Sequence, residues 1–487
     1  MLDQSSTPAA PGSGLSGSEV YEPPKIPTMP NDASFFRKMR TTVTNPIAGL
    51  PEGVYDRPYV TMGGDPAPVA FIMDPSILEE MLIKRWKEFP KTPLDHRVFK
   101  PLLGEGLLSA EGDDWKWKRR LAAPTFAPAA LARMAPAMVA PFETLAAKWA
   151  EPAPASGAPG ARGRDADVDQ AMVDATILVI ERILFADPSE MDLAAIAEGT
   201  SRYLAPMGWV ELVTHLGLPA STPYPGRWRQ MRARDEMRRI VGEAVIKRRA
   251  AVEGGAEPQK DLTGALLAAR DPETDRPLSD EDMVDMLLTL VGAGHETSAH
   301  TLSWMLYCLA HQPGLQDELA AEAREVAASR EGLDADAPFT AKDIPALART
   351  EAALKEVLRL FPVAPLIARR TTREEQFGEL RLKAGAFCVV PIYALQRSAL
   401  HWERPDTFDI GRWLNRKEPS RTLYMPFGAG PRVCIGVKMA MMEMILGVAT
   451  MLRKVRFEPT IETECAPVHR VTMRPQTGMM LNISPRD

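Results

Sequence analysis

At 487 residues, 45% hydrophobic and 25% charged, the chain has an ordinary globular composition and ample material for a large core. Its net charge of −6 excludes the basic excess of a general nucleic-acid binder. The four cysteines, Cys308, Cys388, Cys434 and Cys465, stand far apart with no CxxC spacing, which excludes a disulfide framework and a structural zinc site.

Residues 1–33 open with MLDQSSTPAAPGSG, a polar stretch rich in Ser, Pro and Gly that predicts a flexible tail. The stretch lacks the apolar core of a signal peptide. No run of about 18 uncharged apolar residues follows anywhere, so the expectation is a cytoplasmic protein without a membrane anchor. No central linker divides the rest, and 34–487 is read as a single domain. PYVTMGGDPAPVAFIM (58–73) predicts a hairpin, with β-rich runs flanking a Gly-Gly turn. Helical periodicity covers 127–150, 168–186, 228–250, 279–311, 344–360 and 436–454, with turn-rich breaks at 151–165 and 252–260. Strand patterns are few, at 379–391 and 468–484. The balance predicts a mainly α protein with small β-sheets. The basic pattern WRQMRARDEMRRIVGEAVIKRRA (228–250) is read as a solvated helix face in preference to a membrane-surface helix.

SDEDMVDMLLTLVGAGHETSAHTLSWMLYCLAH (279–311) predicts one long helix, with Ser279 as N-cap, Asp282 three residues on and Pro313 just past the end. At 1.5 Å per residue it spans roughly 50 Å. Its centre breaks local rules: Gly292 and Gly294 each cost about 1 kcal/mol relative to alanine, and a charged Glu296 and a Thr297 follow in an apolar span. Such conflicts mark function. Small residues let a flat group lie against the helix, and Thr297 is positioned to hydrogen-bond the carbonyl of Ala293. Glu296 and Thr297 form an acid–alcohol pair suited to relaying protons. A kinked structural helix with Glu296 in a salt bridge is the alternative. A dinucleotide-binding loop fails, because Thr297 occupies the third glycine position.

FGAGPRVCIG (427–436) places Cys434 just before the helical pattern GVKMAMMEMILGVATMLRKV. Free N–H groups at that helix start predict a lowered thiol pKa. Gly428 and Gly430 permit turns with positive φ, and Gly436 permits close approach of a bulky group. A thiolate so held suits a metal ligand. Zinc fits poorly without a second Cys or His, whereas an iron already held by a porphyrin needs one such thiolate. On this stretch alone, a buried structural cysteine and a Cys/His nucleophile remain open.

Phe427, Gly430, Arg432, Cys434 and Gly436 match FxxGxRxCxG, and the stretch resembles the haem-binding motif of the cytochrome P450 family. Three further segments agree in order. Trp115 and Arg119 in GDDWKWKRRLAAPTF resemble the family's WxxxR helix, AGHET (293–297) its AGxET motif, and Glu356 and Arg359 in LKEVLRLFP its ExxR pair. The resemblance covers roughly residues 55–485. It implies the P450 fold, an α-rich lobe with a smaller β-containing lobe, holding haem b. It implies Cys434 as axial thiolate on the haem iron, Phe427 packed near the sulfur, and Arg432, Arg119 and Arg369 as propionate partners, with Arg370 a near neighbour. Glu356 and Arg359 are implied to be a buried structural pair, with Arg412 as third member, although Ile410 and Gly411 stand where the family usually has Pro and Glu. The substrate wall is expected from the loop 90–108, Leu290, Ala293, Val363, Leu366, Ile367 and the turn Thr477 to Met479 around Gly478. These residues are mostly apolar, which predicts an apolar or amphipathic small substrate.

The implied activity is that of a monooxygenase using dioxygen. About 50 residues follow the cysteine loop, too few for a flavin or iron–sulfur domain, so a separate ferredoxin or flavodoxin with its reductase is expected. Lys116, Lys118, Arg120 and Lys438 are candidates to dock such an acidic partner. A peroxide-driven peroxygenase, a non-catalytic haem-thiolate sensor and a cysteine hydrolase are the rivals. The Glu296–Thr297 pair argues against the first, and the lack of an output domain argues against the second.

Overall fold

A computed structural model describes residues 21–486 apart from 31, 153–162, 187–189, 258, 415–416 and 464. Residues 1–20 of the expected tail and most of the 151–165 break lie outside them. Residues 21–30, also within the stretch read as a tail, pack on the body. Ile26 is buried, Tyr21 stacks on His311 with ring centroids 4.9 Å apart, and the Tyr21 carbonyl accepts from Phe408 N–H at 3.0 Å.

Each helix the periodicity predicts forms, as Pro128–Ala150, Val168–Leu184, Arg227–Glu253, Asp280–Ala310, Ala348–Leu360 and Val437–Lys454, and further helices such as Leu193–Leu204 and Pro313–Ala328 lie outside the predicted ranges. The Ser279–Asp282 capping box closes the start of the long helix. Asp280–Ala310 is buried on nearly all sides after its first turn, as befits a helix through the middle of a large core. It packs on Val168–Leu184, Arg227–Glu253, Ala348–Leu360 and Val437–Lys454. Trp304 on this helix stacks flat on Phe361 at 4.2 Å. The basic Arg227–Glu253 helix is only partly a solvated face, since its arginines also brace neighbours: Arg238 pairs with Asp285 and Arg248 with Asp261, each at 2.8 Å.

The hairpin of Tyr59–Met62 and Ala67–Ile72 forms with Tyr59 opposite Ile72, turning through Gly63 and Gly64 at φ +85° and +104°. Ala67–Ile72 then runs parallel to Leu380–Val390, which also pairs antiparallel with Ile367–Arg370 and Glu375–Phe377. The 468–484 pattern is three strands. Pro467–Arg470 and Thr472–Pro475 make a hairpin, and Met480–Pro485 joins Arg164–Asp167 and Val455–Pro459 in a separate sheet. The break falls at Val471, whose φ of +81° is rare for a β-branched residue. Helices and small sheets thus meet around the long helix, mainly α as expected.

Candidate functional site

The cysteine loop is built from glycines and braced from behind. Gly428 and Gly430 adopt φ of +76° and +71°. A Cβ on Gly430 would collide with the carbonyl oxygen of Leu82, so only glycine lets the loop press on the 80–84 turn. Cys434 N–H closes the loop on the Phe427 carbonyl at 2.9 Å, and Gly436 caps the helix Val437–Lys454. The Cys434 side chain is exposed although its surroundings are protein, so its sulfur faces an interior space. Burial pushes its thiol pKa up, against the N–H of Gly436 and the Arg119 charge, which pull it down. The expected lowering by the helix start is therefore outweighed: without a cation at the sulfur, the thiol form is favoured.

Behind the loop sits the charge brace. Arg359 and Glu356 are fully buried and joined by two 2.8 Å bonds. Glu356 also accepts from Arg412 Nε at 3.1 Å, Asp409 N–H at 3.0 Å and Trp413 Nε1 at 2.9 Å. Arg412 is thus the third member despite Ile410 and Gly411 before it. Arg359 spends its remaining donors on the carbonyls of Gln396, Pro405 and Thr407. Gln396 in turn accepts from Met425 N–H at 2.8 Å, which carries the brace into the chain leading to Phe427.

A second set of cations lies on the other side of the loop. Arg432 stands over the Trp115 ring at 4.2 Å and donates to the Ala110 carbonyl at 2.8 Å. Arg369 donates to the Ala368 carbonyl at 2.7 Å. Among the described residues, Arg119, Arg369, Arg432 and Lys91 make no ion pair. Burial lowers the pKa of Arg119 and Arg369. Burial together with Arg369 lowers Arg432 to about 10. Lys91 falls to about 8, through burial and then the Arg432 charge. The nearby acids are committed elsewhere: Glu111 accepts from Lys91 N–H at 2.9 Å and lies 3.2 Å from His96, and Asp95 closes the capping box of Thr92. A cavity of about 240 Å³ runs along the cluster, lined in part by Trp86, Lys91, Glu111, Arg369, Ala429 and Arg432. Arg370 is exposed, its N–H held by the Pro90 carbonyl. Lys91 was not legible in sequence, since it follows Pro90 in no motif.

The long helix opens where its sequence breaks rules. Ala293 is exposed between half-buried neighbours, and a Cβ on Gly292 would meet nothing within 4 Å. Gly294 has the opposite reason, since its Cβ would meet Ile180 Cδ1 at 2.6 Å. Thr297 Oγ1 donates to the Ala293 carbonyl at 2.7 Å, as expected. Glu296 is buried, with Thr472 Oγ1 at 3.4 Å from its Oε2. His295 is buried with its ring on the Val291 carbonyl, and burial lowers its pKa.

Of the expected substrate wall, Leu290, Leu366 and Ile367 are half-buried and Val363 is buried. Gly478 sits instead beside Asp167, in a separate polar cavity of about 230 Å³ with Arg470 and Arg474. The chain reaches the long helix earlier, at Thr472, whose Oγ1 lies 3.4 Å from Glu296 Oε2, while the next residue, Met473, bonds the Val363 carbonyl through its N–H at 2.8 Å. Lys118 is not a docking residue: it is buried, 2.8 Å from Asp282 and 3.1 Å from Asp114. Arg120 pairs with Asp271 and Glu273. Lys116 pairs with Asp113, and Lys438 is exposed.

The site therefore presents one open sulfur, unpaired cations beside it, and a helix with a bare central turn. A flat group with two carboxylates and a thiolate-accepting metal, which is haem, fits this donor set.

A sequence model of the family described as cytochrome P450 matches residues 55–482. Cyclooctatin synthase of Streptomyces melanosporofaciens is 31% identical over 420 residues, covering 85% of this chain and 84% of its own. Cyclooctat-9-en-7-ol 5-monooxygenase of the same organism is 31% identical over 362 residues, 74% of each chain. Cytokinin hydroxylase of Arabidopsis thaliana is 27% identical over 440 residues, 89% of this chain and 82% of its own. The crystal structure of the cytochrome P450DA heme domain superposes with a TM-score of 0.73, at 24% identity, over 88% of this chain and 90% of that one. The chain belongs to the cytochrome P450 family and is a P450 monooxygenase, a haem-iron oxidoreductase whose reaction needs dioxygen and a redox partner. None of its described helices is long and apolar enough to cross a membrane.

Proposed function

We propose that the protein binds haem b through Cys434 and inserts one oxygen atom into an apolar or amphipathic small organic molecule, with electrons from a separate ferredoxin or flavodoxin. One observation carries this reading: the open Cys434 sulfur lies beside Arg119 and a cluster of half-buried cations that make no ion pair among the described residues. Bound haem supplies the electron transfer and the dioxygen chemistry. Cys434 would hold the metal through its sulfur, at which the Gly436 N–H is aimed. Arg119, Arg369, Arg432 and Lys91 would neutralise the two carboxylates, and the arginine forks suit paired oxygens. The bare turn at Gly292 and Ala293 would leave room for a flat group against the long helix.

Thr297 has given its hydrogen to the Ala293 carbonyl, so its oxygen accepts a bond from a water or ligand in that space. Glu296, one residue away and buried, is the group that takes a proton in and passes it on. Leu290, Val363, Leu366 and Ile367 supply an apolar wall that keeps water from the reacting centre. The relatives' names include cyclooctat-9-en-7-ol and cytokinin, which supports a small organic substrate without choosing one.

The test is the carbon monoxide difference spectrum of the reduced protein beside that of Cys434→Ala. A strongly red-shifted Soret band that disappears in the variant is the expected result. A haem spectrum of the histidine-ligated type in the wild-type protein, or no haem in well-folded protein grown with ample iron, sinks the assignment of Cys434.

A further inference from the structure

Glu296 is a carboxyl in the core, and among the described residues it makes no ion pair. Its orientation therefore depends on whichever donors can reach it. Each hydroxyl on its own stretch of helix is spent elsewhere. Thr297 donates to the Ala293 carbonyl, Ser298 to Glu443 Oε2 at 2.9 Å, and Thr301 to the Thr297 carbonyl at 2.8 Å. The His295 ring is held by the Val291 carbonyl. The hydroxyl that faces Glu296 comes from another part of the chain: Thr472 Oγ1, 3.4 Å from Oε2 and buried like its acceptor.

Thr472 is delivered there by a firmly tied hairpin. Pro467–Arg470 and Thr472–Pro475 turn through the single residue Val471, whose φ of +81° a β-branched side chain rarely adopts. Backbone strain of this kind persists only where the surroundings impose it, and it concentrates at working sites. The ties are visible: Met473 N–H to the Val363 carbonyl at 2.8 Å, His469 N–H to Asn45 Oδ1 at 2.9 Å, and Asn45 Nδ2 to the Pro467 carbonyl at 3.2 Å. The tip is held on both strands and points its one hydroxyl at the acid of the long helix.

We propose that Thr472 is a positioning residue, which holds the Glu296 carboxyl in the orientation needed to pass protons toward Thr297. This rests on the reading of Glu296 as the proton-passing group. At 3.4 Å the contact is longer than the usual 2.7–2.8 Å O–H···O bond, so it steers the carboxyl without immobilising it. A group that must take a proton on one side and release it on the other needs that freedom. A salt bridge, by contrast, would fix Glu296 in its charged form.

The experiment compares Thr472→Val, Thr472→Ser and Glu296→Gln as haem-loaded proteins. Valine keeps the shape of threonine and removes the hydroxyl, while serine restores it. The first readout is the infrared carboxyl stretch missing from Glu296→Gln. It should move in Thr472→Val and return to the wild-type position in Thr472→Ser. The second is hydrogen peroxide released per reducing equivalent, with a ferredoxin and its reductase supplied. It should rise about threefold or more in Thr472→Val, with a larger solvent deuterium isotope effect on oxygen consumption, and fall back in Thr472→Ser. A carboxyl band that stays put in Thr472→Val overturns the proposal, and so does a wild-type peroxide yield there while Glu296→Gln is disturbed. Wild-type behaviour of Glu296→Gln in peroxide yield and isotope effect removes the underlying reading of Glu296 as well. If Thr472→Val does not fold, Thr472→Ala is read against Thr472→Ser in the same two measurements.

Discussion

Two groups of arginines flank the cysteine loop, one centred on the fully buried Arg359 and one half-buried, and they differ in their partners. In the Glu356–Arg359–Arg412 brace, Glu356 binds both arginines, and the remaining donors of Arg359 meet backbone carbonyls. In the Arg119–Arg369–Arg432–Lys91 cluster the cations crowd one another and make no ion pair among the described residues. A closed network has nothing left to offer a ligand, so its role is to hold the loop. An open one is a cost to the bare protein that an anionic ligand removes. Both are arginine-rich, and partnership separates the structural group from the binding one.

The largest effect should come from breaking the closed group. Glu356→Ala leaves Arg359 buried without a counter-charge, and removing one partner of a buried pair costs about 3–5 kcal/mol. Chemical denaturation should show that loss, or the protein should fail to accumulate in folded form. Mild behaviour of Glu356→Ala would mean that the brace is not what supports the loop.

Lys91 gives the next largest effect, and its sign belongs to the open group. Its folded-state pKa, about 8, lies below the ordinary lysine value of 10.5. Between those values the unfolded chain holds the proton and the folded chain does not, so stability rises with pH across the window. Below about 8 the full cost of burying the charge is present, up to about 3 kcal/mol. Denaturation of haem-free protein from pH 8 to 10.5 should show that slope. Lys91→Met should abolish it, and bound haem should flatten it by supplying a carboxylate.

The contrast was only half visible in the sequence. Motifs contained in one short stretch were legible, such as the cysteine loop, Glu356 with Arg359, and Thr297 with the Ala293 carbonyl, because both partners lie within one turn of chain. The long helices were legible for the same reason, since their periodicity is local. Contacts that depend on distant pairing were not. Trp413 on Glu356 spans 57 residues, Ser298 on Glu443 spans 145 and Thr472 on Glu296 spans 176. No spacing rule reaches that far. The pattern at 468–484 hid a turn at Val471 because nothing in a valine announces a positive φ. Lys118 looked like a surface cation because its partner Asp282 lies on another helix.

Glu443 tests whether a buried charge away from both groups obeys the same rule. It is buried with Ser298 as partner on one oxygen and none on the other among the described residues. Burial pushes its pKa up to about 8 from 4.5. Between those values the folded protein keeps the proton and the unfolded chain releases it, so stability is lost as pH rises through the window. Glu443→Gln should remove that slope. It should match wild type near pH 4.5 and exceed it at pH 8 in thermal or denaturant melts. Equal slopes in the two proteins would show that Glu443 is ionised and paired in the folded state.

The smallest effect in stability is the sharpest test of the comparison, because its two readouts move in opposite directions. Arg369→Gln removes one of several crowded cations. The haem-free protein should therefore hold its stability or gain less than about 1 kcal/mol. In the loaded protein the same change removes a charge-assisted bond to a carboxylate, worth about 1.5–3 kcal/mol, and haem should leave for an acceptor protein about tenfold faster or more. Arg359→Gln in the closed group should destabilise both forms, since its partners are the protein's own. If Arg369→Gln lowered both stabilities alike, Arg369 would be a structural residue with a partner the geometry does not show, and the cluster would lose its reason for being open.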